Sequence, residues 1–303
     1  MLYSLLQHHS ATATICVLLT LANTASHAQE DWQLQAGISL ATGRYTNSSL
    51  LKNQITKGIR ADLQSSTQGA SVGYQNTYIN FQEAIKQPQQ IQESWMLSTY
   101  ISQVSPELQG QITYKIDTHH VSDKSAKQTD IFILAPQVSW TSYEHPLSLS
   151  ISTAHSKYQN MSTIRQYGAA IGLGFNNHQD WIELREYLIA NLPSEKAEQH
   201  THTIGKEIRL THITNEISSW RPSRITLAIE FGEKIYYVDM TTQSVFNIPM
   251  LNRGGQSITA MWQLNSRINF TTQLNQNRYS SSLNGSHNNT RLTTASIQTA
   301  YAW

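Results

Sequence analysis

The stretch Glu107-Leu108-Gln109-Gly110-Gln111-Ile112-Thr113-Tyr114-Lys115-Ile116-Asp117 alternates without a break. Leu108, Gly110, Ile112, Tyr114 and Ile116 share one face of an extended chain. Glu107, Gln109, Gln111, Thr113, Lys115 and Asp117 share the other. A helix would scatter both sets around its circumference, so this segment reads as a strand with one apolar and one polar side.

The same pattern recurs along the chain. Trp32, Leu34, Ala36, Ile38 and Leu40 oppose Gln33, Gln35, Gly37 and Ser39, and Ile225, Leu227, Ile229 and Phe231 oppose Arg224, Thr226, Ala228 and Glu230. Shorter runs repeat it at Ile59-Ala61-Leu63, Trp95-Leu97-Thr99-Ile101, Leu147-Leu149-Ile151, Tyr167 to Phe175, Ile258 to Leu264 and Ile268 to Leu274. Charged residues make up only 14% of the chain, while Gln, Asn, Ser and Thr abound. A transmembrane barrel with a lipid face and a water face needs that composition.

Tight turns are expected at Ser65-Ser66-Thr67, Ser105-Pro106, Glu144-His145-Pro146, Asn176-Asn177-His178 and Asn265-Ser266-Arg267. They alternate with longer polar connections near 46–53, 82–90, 121–128, 157–162, 193–199, 241–253 and 280–289. With 215–223 counted among the tight set, the reading is an all-β, closed, antiparallel up-and-down barrel of about fourteen strands, bracketed by twelve and sixteen. Soluble β-sandwiches and propellers also alternate, but the roughly 40–50-residue repeat of a propeller blade is absent.

Residues 1–28 contain no Asp, Glu, Lys or Arg and carry the apolar run Ile15 to Leu21, followed by Ser26-His27-Ala28. This reads as a signal peptide cleaved before Gln29, which leaves 29–303 as the barrel. The run is shorter than the roughly 20 residues a spanning helix requires. Cys16 is the single cysteine, so the exported chain would have neither disulfides nor Cys-based metal sites. A net charge of +1 points away from nucleic acid.

At the chain end, Ala295, Ile297, Thr299, Tyr301 and Trp303 lie on one face, with an aromatic residue last. This ending resembles the terminal-strand signal of Gram-negative outer-membrane β-barrel proteins, carried here by Ile297, Thr299, Tyr301 and Trp303. The resemblance implies an outer-membrane location, recognition by the barrel assembly machinery, and contact with outer-membrane lipid and lipopolysaccharide. In size the chain is also similar to small monomeric porin-like channels and to the barrel portions of some surface-export systems. Nothing in the sequence sets an oligomeric state.

Ten charged residues fall opposite the apolar face of their own strand and are candidates to line the lumen: Arg60, Asp62, Lys115, Asp117, Glu183, Arg185, Glu207, Arg209, Arg224 and Glu230. Mixed charge of this kind lines a water path in a wide lumen and braces the wall as ion pairs in a tight one. Trp32, Trp95, Trp140, Trp181 and Trp262 read as interfacial girdles. Ile235-Tyr236-Tyr237-Val238-Asp239 opens a long loop and is a candidate loop-borne surface.

Catalysis and metal binding find little support. His200 and His202 share a strand face but lack an identifiable third ligand, and His119-His120 is assigned to the start of a polar loop. His155 and Ser156 are adjacent, so on a strand they point to opposite faces and cannot form a dyad. No cofactor and no enzyme activity are expected. A porin-like channel for small hydrophilic solutes is the first functional reading. A non-conducting barrel aiding surface assembly or export of polysaccharide or lipoprotein is the second, and a surface hydrolase the third.

Overall fold

In a computed structural model the chain is described from residue 32 to 303, apart from 84–88, 125–128, 160–162, 191, 193–200, 215–216, 218–219, 240–243, 246–249 and 284–285. The signal-peptide reading of 1–28 and the expectation for His200 lie outside the described residues.

The strands are β1 (Gln33–Thr46), β2 (Leu51–Gln64), β3 (Gln68–Phe81), β4 (Gln90–Ser105), β5 (Gly110–Asp123), β6 (Thr129–Ser142), β7 (Leu147–Tyr158) and β8 (Ile164–Phe175). They continue with β9 (Asp180–Ala190), β10 (His202–Ile213), β11 (Arg224–Gly232), β12 (Val238–Asp239), β13 (Ser244–Val245), β14 (Leu251–Gln263), β15 (Ile268–Leu283) and β16 (Ser286–Ala302). All but β12 and β13 join one closed antiparallel barrel of fourteen strands in chain order, and β12 and β13 form a small separate hairpin. The up-and-down barrel read from the sequence is therefore the observed fold.

Closure depends on β1 and β16, which pair over twelve positions from Gln35↔Ala302 to Thr46↔Arg291. The Trp303 amide then donates to the Leu34 carbonyl at 3.0 Å. Both described ends thus lie on the rim that carries the short turns, the periplasmic rim of outer-membrane barrels.

The alternation places its faces as expected. Ile38, Ile59, Ile116, Leu149, Ile171, Leu227 and Ile297 are all exposed on the outside. Near the turn-bearing rim, Trp262 stacks obliquely on Phe270 at 5.7 Å and Tyr301 meets Trp303 edge-on at 5.1 Å. Tyr74 and Trp95 pair on the outer surface at 4.7 Å, nearer the opposite rim.

Several local expectations are corrected. The connections near 46–53 and 280–289 are not long loops, because only four residues separate the end of β1 at Thr46 from the start of β2 at Leu51, and β15 and β16 are paired out to Leu283↔Ser286. Their polar residues belong to strand ends that continue the ladder past the apolar band. His119 and His120 lie within β5, with His119 buried inside and His120 outside, rather than in a loop. Trp181 points into the barrel, where its indole N–H donates to the His178 carbonyl at 3.1 Å, so it is not an interfacial anchor. Ile235 to Val238 do not present an outer surface, for they fold inward and are almost wholly buried.

Candidate functional site

The interior holds a cavity of about 780 Å³ with two unlike walls. On β1 to β3 and β14 to β16 it is lined by uncharged hydrogen-bonding side chains such as Gln54, Thr56, Gln75, Thr77, Thr259, Gln273, Asn275 and Thr294. The wall facing them, on β9 to β11, carries Glu183, Arg185, Glu207, Arg209, Arg224 and Glu230.

Those charges pair mainly along their own strands. Residues two apart point the same way, so Arg60 reaches Asp62 at 2.7 Å and Lys115 reaches Asp117 at 2.9 Å. Arg185 with Glu183 and Arg209 with Glu207 do likewise. Cross-strand register ties the last two pairs together, with Glu207 opposite Arg185 and Arg209 opposite Glu183. Glu207 also sits directly opposite Glu230, a repulsive placement. Arg185 and Arg209 offset it on one side, and Lys234, 2.8 Å from Glu230, offsets it on the other.

Seven of the ten sequence-predicted lumen residues line this cavity: Arg60, Glu183, Arg185, Glu207, Arg209, Arg224 and Glu230. Asp62, Lys115 and Asp117 complete pairs on the inner face of β2 and β5 outside it. Among the described residues Arg224, at the start of β11 near the turn-bearing rim, has no acidic partner.

Above the cavity a strap formed by Ile235 to Val238 folds into the interior. It packs on inward apolar residues of the β5 to β9 wall, among them Val121, Ile131, Ile133, Ala154, Ile164 and Ile189. At the return point, Met250 joins a second apolar cluster with Tyr45, Leu51, Ile79, Tyr279 and Leu292. Burial of the four strap side chains contributes roughly 6–12 kcal/mol, before the cost of ordering the backbone is subtracted.

Three polar devices hold the strap. The first is Gln166 of β8, whose amide donates to the Val238 carbonyl at 2.8 Å and accepts the Val238 N–H at 3.0 Å, satisfying both backbone groups as a neighbouring strand would. Lys234, itself buried, is the second. Besides its ion pair with Glu230 it lies over the Tyr237 ring at 4.2 Å and near the Tyr187 ring at 5.6 Å. Gly205 makes room for it, since a Cβ there would collide with the Lys234 stem. The third is the hinge, where Lys234 and Asn252 exchange backbone hydrogen bonds at 2.9 and 2.8 Å. Beyond it the register shifts between Asn252 and Gly255, with Gly254 at φ 101°, a left-handed value that suits glycine.

Tyr236 packs edge-on against Tyr158 at 5.5 Å. Burial pushes the Tyr236 phenol up to about 12, and burial together with Glu230 and Asp239 pushes Tyr237 well above the usual value. The strap phenols therefore stay neutral across the physiological range.

Among the described residues the catalytic pairings considered from sequence are not brought together. His155 is exposed and Ser156 buried, on opposite faces of β7. His202 is exposed, and among the described residues its ring nitrogen contacts the Thr201 hydroxyl, at 3.3 Å. Among the described residues no group of three or more His, Cys, Asp or Glu is placed to hold a metal ion.

Sequence reasoning missed Gln166, Lys234 and the inward strap. One signal was available, because Ile131-Phe132-Ile133-Leu134-Ala135 in β6 is apolar on both faces. A strand with lipid on one side needs an apolar lumen face only where something apolar covers it.

No family model matches the sequence. No curated protein matches it either. Solved structures do match in fold. The Pseudomonas putida toluene transporter TodX aligns over 92% of this chain and 91% of its own with a TM-score of 0.54 at 6% identity. A TodX deltaS2S3 mutant, described as a monoaromatic hydrocarbon channel, aligns over 92% of both chains with a TM-score of 0.53 at 8% identity. At such identities the likeness is one of barrel architecture.

Proposed function

We propose that the protein is an outer-membrane channel that admits small hydrophilic solutes and is narrowed by its own strap. The supporting observation is the cavity of about 780 Å³, which offers a solute amide and hydroxyl groups on one wall and self-neutralised charge on the other. A hydrocarbon cargo like that of the TodX neighbours would be poorly served by such walls, since each polar group it covered would lose its water. In this reading the chain end, with Tyr301 and Trp303 outward, acts as the assembly signal for insertion into the outer membrane.

Arg224 lies apart from the paired lumen charges and from Asp239 beside the strap, so it sets the charge that permeant ions meet near the turn-bearing rim. Reconstituted in a planar bilayer, the protein should show discrete current steps with weak anion preference. Arg224→Glu should move the reversal potential in a salt gradient toward cation preference. Unboiled samples from the outer-membrane fraction should migrate differently from boiled ones on a denaturing gel. Current steps whose selectivity ignores position 224 would refute this account of the lumen. A soluble, heat-insensitive protein would refute the membrane reading itself.

The strap favours a second reading. A lumen with two apolar clusters on its walls, one of them covered by the strap, suits a non-conducting barrel that serves surface assembly or export of polysaccharide or lipoprotein. A barrel that stays silent in the bilayer with the strap removed would establish that reading over the first.

A further inference from the structure

The adjacent strands β14, β15, β16 and β1 contain no Asp or Glu, and no acid follows Asp239 in the chain. On the outer surface of this acid-free sector three arginines converge. Arg278 of β15 and Arg291 of β16 are direct cross-strand partners. On its other side Arg291 faces Thr46 of β1, two residues from Arg44. The flanking Tyr45, Tyr279 and Leu292 are buried inside, so the arginines point outward, and all three are exposed. None has an acidic partner among the described residues.

Like charges placed directly opposite one another weaken a sheet. This pair persists with a third guanidinium within diagonal reach, which points to an anion supplied from outside the chain. Its height identifies that anion. Arg291 is ten residues above Tyr301 and Arg278 ten above Ile268. Ten residues at about 3.3 Å each, tilted by roughly 40°, rise about 25 Å, the height of the apolar band of such barrels. The arginines thus stand at the outer headgroup level, directly above exposed Leu40, Leu274 and Ile297. Lys57, outward on β2 opposite Leu40, can reach the same level along its flexible stem.

We propose that Arg44, Arg278 and Arg291 dock the phosphate groups of lipopolysaccharide, whose acyl chains lie on the apolar band below. Guanidinium forks suit phosphate oxygens in bidentate geometry. The proposal rests on the outer-membrane reading above. Two lipid groups face opposite ends of one surface here, so phosphate and hydrocarbon are recognised together.

The test uses the full barrel in detergent, titrated with intact and with enzymatically dephosphorylated lipopolysaccharide, against the variant R44Q/R278Q/R291Q. These side chains are exposed, and heat-modifiable mobility of the variant confirms that it still folds. Intact lipopolysaccharide should bind the wild type, and both phosphate removal and the triple substitution should weaken binding about tenfold or more. Equal binding by the variant, or equal binding of the dephosphorylated lipid, overturns the docking site. If the wild type lacks heat-modifiable mobility and stays out of the outer-membrane fraction, the membrane reading fails instead, so the two failures are distinguishable.

Discussion

Replacing residues 235–251 with a two-residue Asn-Gly turn raises single-channel conductance several-fold and leaves the heat-modifiable barrel intact. The hinge makes the excision feasible, because Lys234 and Asn252 are already hydrogen-bonded across an antiparallel bridge. A two-residue turn is the natural closure for such a bridge. What is lost is the strap on the β5 to β9 wall and, with Met250, one member of the cluster around Tyr45 and Tyr279. Of the barrel ladder only the terminal Leu251↔Ser280 pair is lost, as β11 pairs directly with β14. Newly wetted Ile131, Ile133 and Ile189 lower the stability of the excised protein without opening the ring. Planar-bilayer recordings of the two proteins decide the matter, and equal conductance would show that the strap does not limit passage.

The second large effect concerns Lys234. Lys234→Met leaves Glu230 facing Glu207 with one fewer cation and removes the charge from beneath Tyr237. Removing one partner of a buried pair costs about 3–5 kcal/mol, which is a large part of what holds the strap. Hydrogen exchange at residues 235–238 should accelerate, and recordings should flicker between two conductance levels. Removing both charges is milder, because no uncompensated carboxylate remains. E230Q/K234M should therefore recover most of the exchange protection. If K234M exchanges as slowly as the wild type, apolar packing and Gln166 alone hold the strap.

The barrel wall was legible because its rule is local. In Gly110 to Asp117 each residue's face follows from its neighbours, whereas Glu107 to Gln109, read from sequence as part of the same strand, form the turn before it. The inner placement of charges such as Arg185 and Glu207 follows from the same parity. Even the pairing of those charges was readable in retrospect, since 60 and 62, 115 and 117, 183 and 185, and 207 and 209 are each two apart. The strap obeys no local rule. Its apolar run looks like an exposed loop patch, and its inward fold depends on Gln166, 72 residues away from Val238. Alternation assigns Gln166 to the lumen but says nothing of what it holds. Trp181 failed for a related reason, because an aromatic residue near a strand end suits either face and only parity along β9 places it inside.

The seam between β1 and β16 has a consequence for the order of the chain. Leu34 and Trp303 are hydrogen-bonded neighbours, so the ladder does not depend on where the polypeptide begins. A circular permutant with its old ends linked and new ends cut at the β15–β16 turn would keep every strand pairing while burying Trp303 in mid-chain. Such a molecule should refold in detergent to the same closed ring, with the segment proposed as the assembly signal moved to mid-chain. Under the assembly reading proposed above, ring closure and membrane insertion become separable in this permutant.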